Sequence, residues 1–286
     1  MMLDYYAYTG DEAFVRQTLL PIATAGITFF DQHFPHQNGR LLLEPDNAIE
    51  TYWKIRNPAP DIAGLHYVIG RLLELPTRLV DAKTRADLIR VAQELPPLPI
   101  GDKNGKRMLL SYEPGQGPHP SNGENPELYA VYPFRLYGLG KPDIDLARNA
   151  FNVRINPQKG CWSQDPEHAA LLGVTNVVRD DIAFNLTRKS PRLKFPAFWA
   201  PGHDYDPDED NGGNGEMGLQ WMVMQADGRK ILLLPAWPAN WNASFKLHAP
   251  LQTTVEGEVR GGKLVRLDVT PASRRADVTV VSGTAQ

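Results

Sequence analysis

Apolar positions in the first two thirds of the chain recur at three- and four-residue steps, the spacing of amphipathic helices. Val15, Leu19, Ile22, Ala23, Ile27 and Phe30 place one helix over Asp11 to Phe34, which Pro21 should kink or split. A second starts at Asp61, an N-cap candidate, and carries Ile62, Leu65, Val68, Ile69, Leu72 and Leu73; a third covers Lys83 to Leu95, stopped by Pro96 and Pro97. Further helices are expected over Glu127 to Tyr137, opened by Pro126 and bent at Pro133, and over Asp143 to Asn152, Pro166 to Leu172, Val174 to Leu186 and Glu216 to Gln225. Two long loops, 41–60 and 101–123, are set apart by their prolines and glycines.

Beyond Ala226 the period shortens. Runs at Lys230 to Leu234, Phe245 to Leu247, Thr253 to Val259, Leu264 to Val269 and Asp277 to Val281, with Asp227-Gly228 and Gly261-Gly262 as turns, read as antiparallel strands. The fold expected is mostly α followed by β: part of an α-helical toroid over 1–226 and an antiparallel β-sandwich over 227–286. Helix pairs stacked around a ring bring the loops of one rim to a shared pocket.

Composition narrows the function. The 286 residues are 42% hydrophobic and 22% charged, with a formal net charge of −3, so the clustered basic face that nucleic acid or an anionic membrane requires is not expected. The single cysteine, Cys161, excludes an intrachain disulfide and leaves the redox compartment open. The opening Met1-Met2-Leu3-Asp4-Tyr5-Tyr6-Ala7-Tyr8 lacks the basic-then-apolar pattern of a secretory signal, and no membrane-spanning run is expected. The abrupt start, inside an element, suggests a domain whose first part is absent.

The richest chemistry lies in Leu41-Leu42-Leu43-Glu44-Pro45-Asp46-Asn47-Ala48-Ile49-Glu50-Thr51-Tyr52-Trp53: an apolar strand, a Pro-Asp-Asn turn, then a carboxylate beside two rings. A carboxyl pressed against a ring loses hydration and can stay protonated as a general acid; the alternative is an ordinary element end. Glu124 and Asn125, and Trp162, Gln164 and Asp165, are residue types that grip hydroxyls and stack on sugar faces, or else cap helices and fill a core. Asp210 precedes Asn211-Gly212-Gly213-Asn214-Gly215, a flexible segment before a helix. Asp204, Asp206 and Asp208 alternate like a calcium loop, but Glu209 and Gly215 stand where that loop needs glycine and glutamate. The seven histidines form no metal-ligand set, no Gly-x-Ser-x-Gly is present, and neither metal nor cofactor is expected.

Together these segments resemble glycoside hydrolase family 95, the α-L-fucosidases, and related six-hairpin glycosidases. Pro45-Asp46-Asn47-Ala48-Ile49-Glu50 is similar to the family's Pro-Ser-x-Ser-Pro-Glu, which ends on the general acid. Glu124-Asn125-Pro126-Glu127-Leu128-Tyr129-Ala130-Val131-Tyr132-Pro133 stands where the family has a histidine-rich motif and an aromatic-proline pair; the histidines are replaced. Gly160-Cys161-Trp162-Ser163 resembles Gly-x-Trp-Ser. Asp210 to Gly215, Met222-Val223-Met224-Gln225 and Leu233-Leu234-Pro235-Ala236-Trp237-Pro238 resemble Asp-Gly-Asn-Phe-Gly, Met-Leu-Leu-Gln and Leu-Leu-Pro-Ala-Leu-Pro.

The resemblance implies the later helices of an (α/α)6 barrel with its C-terminal sandwich, and an inverting mechanism. Glu50 would protonate the glycosidic oxygen while Asp210 activates water, through an asparagine of a first half that this chain lacks. Tyr52, Trp53, Glu124, Asn125, Trp162, Gln164 and Asp165 would bind an oligosaccharide or polysaccharide, fucose- or galactose-like, and the missing N-terminal half would be a partner. The complete enzyme would be secreted or periplasmic. The rival reading is a non-catalytic carbohydrate-binding or interaction module derived from such an enzyme.

Overall fold

The computed structural model describes residues 1–188 and 209–281, so Asp204, Asp206, Asp208 and the calcium-loop reading lie outside the described residues. Helices dominate the earlier part and sheets follow, in the expected order. The change from helix to strand falls at Val223/Met224, close to the expected 226. Compactness divides the chain elsewhere: one unit takes in 1–6, 10–137 and 141–156, the other 7–9, 138–140 and 157–286. The last three helices therefore belong with the sheets, because they pack on one another and run directly into the first strand.

In the first unit the run Glu12–His33 is helical throughout, with π geometry at Val15–Leu19 just ahead of Pro21. Proline has no N–H to give to residue 17 and its ring crowds that carbonyl, so the expected break is met by widening one turn. The Asp11 carboxylate caps the start, accepting from Phe14 N at 3.0 Å. Val15, Leu19, Ile27 and Phe34 pack with Leu65, Ile69 and Leu72 of the Ala59–Leu73 helix and with Leu88 and Val91 of the Ala82–Glu94 helix. Each fully buried leucine there contributes about 1.5–3 kcal/mol. By length and composition Glu12–His33 could also cross a membrane, contrary to the sequence expectation, since its threonines and Gly26 interrupt the apolar run without adding charge. Ile22 and Phe29 are 54% and 57% exposed on its outer side.

Three local readings are corrected. The Ala59–Leu73 helix starts two residues before Asp61, with Pro58 at the cap position, so Asp61 lies in the first turn. The loop 101–123 begins with a hairpin, Ile100–Lys103 with Lys106–Leu109, whose Asn104-Gly105 turn has both residues at positive φ (54° and 74°), the pattern a two-residue hairpin turn needs. The helix over Glu127 to Tyr137 shrinks to a 3₁₀ turn, Pro126–Ala130.

In the second unit the helices Asp165–Leu172, Thr175–Thr187 and Glu209–Val223 pack closely together. The last was expected only from Glu216. Gly212, Gly213 and Gly215 are helical despite their propensity, because Gly215 and Gly218 face the neighbouring helices. A Cβ on Gly218 would stand 2.6 Å from Pro166 Cβ and 2.8 Å from Ile182 Cδ1, and one on Gly215 3.0 Å from Leu186 Cδ2.

Ala243–Ala249, Thr253–Arg260 and Lys263–Thr270 form an antiparallel sheet in which Thr253, Val255, Gly257 and Val259 face inward. Met224–Asp227 pairs antiparallel with Lys230–Leu233, but the last strand, Val278–Val280, lies parallel to Lys230–Leu233, against the expectation of antiparallel pairing throughout. The chain is turned back to it by the Ala272–Asp277 3₁₀ turn. Its buried Arg274 donates to Thr253 Oγ1 (2.9 Å) and Arg229 O (3.0 Å) and pairs with Asp277.

Candidate functional site

Asp46–Ala48 is not a turn but a strand, paired antiparallel with Tyr52–Ile55, and the turn falls at 49–51 with Ile49 at φ 56°. Glu50 therefore stands at the tip of a hairpin and is exposed, so the ring-desolvated carboxyl expected from sequence is not found there. Trp53, 51% exposed, donates from its indole Nε1 to the Glu50 backbone oxygen at 2.9 Å. The ring braces the turn rather than covering the carboxylate.

The groups that meet Glu50 come from the loop after the Lys106–Leu109 strand. Asn122 Nδ2 donates to Glu50 Oε2 at 3.0 Å, and Ser121 N donates to Thr51 O at 2.8 Å. Thr51 Oγ1 donates to Glu124 Oε2 at 3.1 Å. Burial pushes the half-buried Glu124 carboxyl above the ordinary carboxylate range, against the opposing bonds from Thr51 and the Glu50 N–H, and the Glu50 charge adds to the rise. Of the two carboxyls, Glu124 thus has the desolvated surroundings expected for Glu50.

Deeper in the same unit, the Tyr52 ring meets Tyr112 edge-on at 5.0 Å. Burial first, then the Glu127 charge, pushes the Tyr52 phenol up to about 12. Glu127 is buried and accepts from Ser111 Oγ at 2.6 Å, and its own carboxyl is pushed up by desolvation. Asp61 is pushed to about 7, mainly by burial and then by the Asp46 charge, and Asp46 is itself raised by burial, its Oδ2 lacking a partner among the described residues. Arg56 fixes the opposite end of the hairpin between Glu44 (2.7 Å) and Glu113 (3.7 Å).

Asn125 has another task. Its Oδ1 accepts from Asn156 N at 3.1 Å and its Nδ2 donates to Asn156 O at 2.9 Å, so the buried amide is occupied by backbone and is not turned to a ligand. Glu50, Tyr52, Trp53 and Glu124 are thus gathered around one hairpin, with Asn122 and Thr51 as members that sequence reasoning missed. No local signal marks Asn122. Thr51 stood within the stretch already singled out.

The remaining candidates lie in the second unit. Asp210 is exposed in the first turn of the Glu209–Val223 helix, where a negative charge suits the helix dipole. Its neighbours Asn211 and Asn214 hold the turn at 160–163: Asn211 Oδ1 accepts from Cys161 N (3.3 Å), Asn211 Nδ2 donates to Asn185 O (2.8 Å), and Asn214 Nδ2 donates to Cys161 O (2.9 Å). Gly160 is required there, at φ 76° with the Asn211 oxygen 2.7 Å from where a Cβ would stand. That turn presents half-buried Trp162 and Gln164, while Asp165 is buried at the start of its helix. Glu167, fully buried two residues on, has its carboxyl pushed to about 8 by desolvation and then by Asp165. This buried carboxyl was not singled out from the sequence. No family model matches the chain, and no curated protein matches it.

Proposed function

We propose that the chain is an inverting glycoside hydrolase of the six-hairpin kind, α-L-fucosidase- or α-L-galactosidase-like, acting on plant or host glycans. The observation that carries the reading is the hairpin tip. There Glu50, open to solvent and held by an amide, adjoins Glu124, a half-buried carboxyl that keeps its proton above the ordinary range. A sugar site needs carboxyls, an amide donor and an exposed ring for the sugar face. Half-exposed Trp53 supplies the ring and Asn122 the amide, while the buried Thr51 hydroxyl is spent on Glu124. The helices-then-sheets order agrees with a partial (α/α)6 toroid and a β-sandwich, and the order of motifs along the chain with the family resemblance.

In this reading Glu50 delivers the proton to the glycosidic oxygen, beside Glu124, whose carboxyl is raised above the ordinary range by burial. Hydrolysis of aryl α-L-fucosides and α-L-galactosides by the natural full-length polypeptide tests it. Glu50→Gln should lower kcat/KM by about 10²–10⁴-fold, the usual worth of general acid–base catalysis. Unchanged hydrolysis in Glu50→Gln removes the acid assignment.

Trp53 gives a second reading some weight, because a half-exposed indole at a hairpin tip also suits a non-catalytic glycan-binding module. Glycan binding lost in Trp53→Ala, with no glycoside cleaved by the native protein, would favour that module.

A further inference from the structure

Seven histidines spread along the sequence suggest no metal set, yet the first unit brings one of them to two carboxylates from distant positions. Asp31 lies in the last turn of the Glu12–His33 helix and Glu94 ends the Ala82–Glu94 helix. His36 sits on the short strand His36–Gln37, paired with Arg40–Leu41. We propose that Asp31, His36 and Glu94 bind a single divalent transition-metal ion of the zinc class.

The spacing is the first argument. His36 Nε2 stands 3.3 Å from Asp31 Oδ1 and 3.1 Å from Glu94 Oε2, and the three donor atoms lie within 4.8 Å of one another. A tetrahedral ion with bonds of about 2.0–2.1 Å places its ligand atoms about 3.3–3.5 Å apart, so the set closes on zinc with small side-chain adjustments. One imidazole with two carboxylates suits zinc better than magnesium or calcium, which prefer oxygen alone.

Charge and rigidity are the second argument. Both carboxylates stand at helix C-termini, where the backbone dipoles favour a cation. Arg90 donates to Asp31 Oδ2 at 2.5 Å and to the two oxygens that face His36, Asp31 Oδ1 at 3.1 Å and Glu94 Oε2 at 2.7 Å, which orients both carboxylates and must yield one or both of the latter bonds to an ion. With a neutral imidazole the two carboxylates and Arg90 sum to one negative charge, which a divalent ion turns to one positive. Phe34, Leu41, Val91 and Leu95 are buried in the elements that carry the ligands, fixing their backbones. The rival arrangement is an ion-pair network with a protonated His36 and no metal.

Isothermal titration of the chelator-treated full chain with zinc chloride separates the two, with zinc-edge X-ray absorption on the loaded protein. The expected result is one zinc per chain with a shell of nitrogen and oxygen only, weakened about tenfold or more by His36→Ala and by Glu94→Gln, and unchanged by His33→Ala. Glu94→Gln keeps the shape of its side chain and carries the test if His36→Ala folds poorly. No binding up to millimolar zinc, native affinity retained in His36→Ala and Glu94→Gln, or sulfur in the shell would overturn the site.

Discussion

Replacing Asp61 by asparagine should flatten the pH dependence of the first unit's stability. Asp61 stands in the first turn of the Ala59–Leu73 helix, beside Asp46 on the strand that leads to the Glu50 turn, and burial with the Asp46 charge lifts its pKa from 3.8 to about 7. A carboxyl with a raised folded-state pKa stabilises the fold fully only below its unfolded pKa, and that contribution is lost as pH rises through the folded value. The window is therefore from about 4 to 7. At 1.36 kcal/mol per pH unit the rise corresponds to at most about 4 kcal/mol, and the part of the carboxyl that still reaches solvent reduces this to about 1–3 kcal/mol. Amide hydrogen exchange in the Ala59–Leu73 helix, measured under native conditions at pH 5 and pH 8 and corrected for the intrinsic rate, measures it. The native chain should lose about 1–3 kcal/mol between the two values, and Asp61→Asn should lose little and be the more stable at pH 8. If Asp61→Asn keeps the native slope, the Asp46–Asp61 coupling does not operate and the physical description of the hairpin base fails.

Other consequences are as definite. Glu167→Gln should raise stability above pH 8 and leave it nearly unchanged at pH 4, because the native carboxyl is pushed to about 8 where neither oxygen has a partner among the described residues; thermal melts at the two pH values check this. Gly218→Ala should cost about 1–3 kcal/mol through overpacking against Pro166 and Ile182, read as a lowered denaturation midpoint, whereas Gly213→Ala, with open space around its Cβ, should be neutral or stabilising. Asn125→Ala should cost about 1–3 kcal/mol by leaving the Asn156 backbone groups unpaired, and amide hydrogen exchange at residue 156 should speed up.

Much of the helical framework was legible because it is written in local spacing. Ile62, Leu65, Ile69 and Leu72 mark the Ala59–Leu73 helix, and the Asp81 cap, accepting from Thr84 N at 2.9 Å, sits one residue ahead of the next. The misreadings have physical causes. Glycines at 212, 213 and 215 signal a loop by propensity, and only the neighbouring helices show why small residues are needed at 215 and 218 within a helix there. The Asn104-Gly105 hairpin was in plain view but was absorbed into a proline-rich loop. At the candidate site, the residue types around Glu50 and Trp53 are legible in the sequence, but positive φ at Ile49 moves the turn and puts the carboxylate in solvent. Asn122 reaches Glu50 across 72 positions, and Glu94 reaches His36 across a comparable gap, so neither meeting is encoded locally.

The leaving-group dependence of hydrolysis tests the role of Glu50 most directly. A general acid matters when the departing oxygen is basic and hardly matters when it leaves unaided. Measured on methoxyphenyl and dinitrophenyl α-L-fucosides with the natural full-length polypeptide, Glu50→Gln should lose about 10²–10⁴-fold in kcat/KM on the first and little on the second. An equal loss on both, or no loss on either, would contradict the assignment.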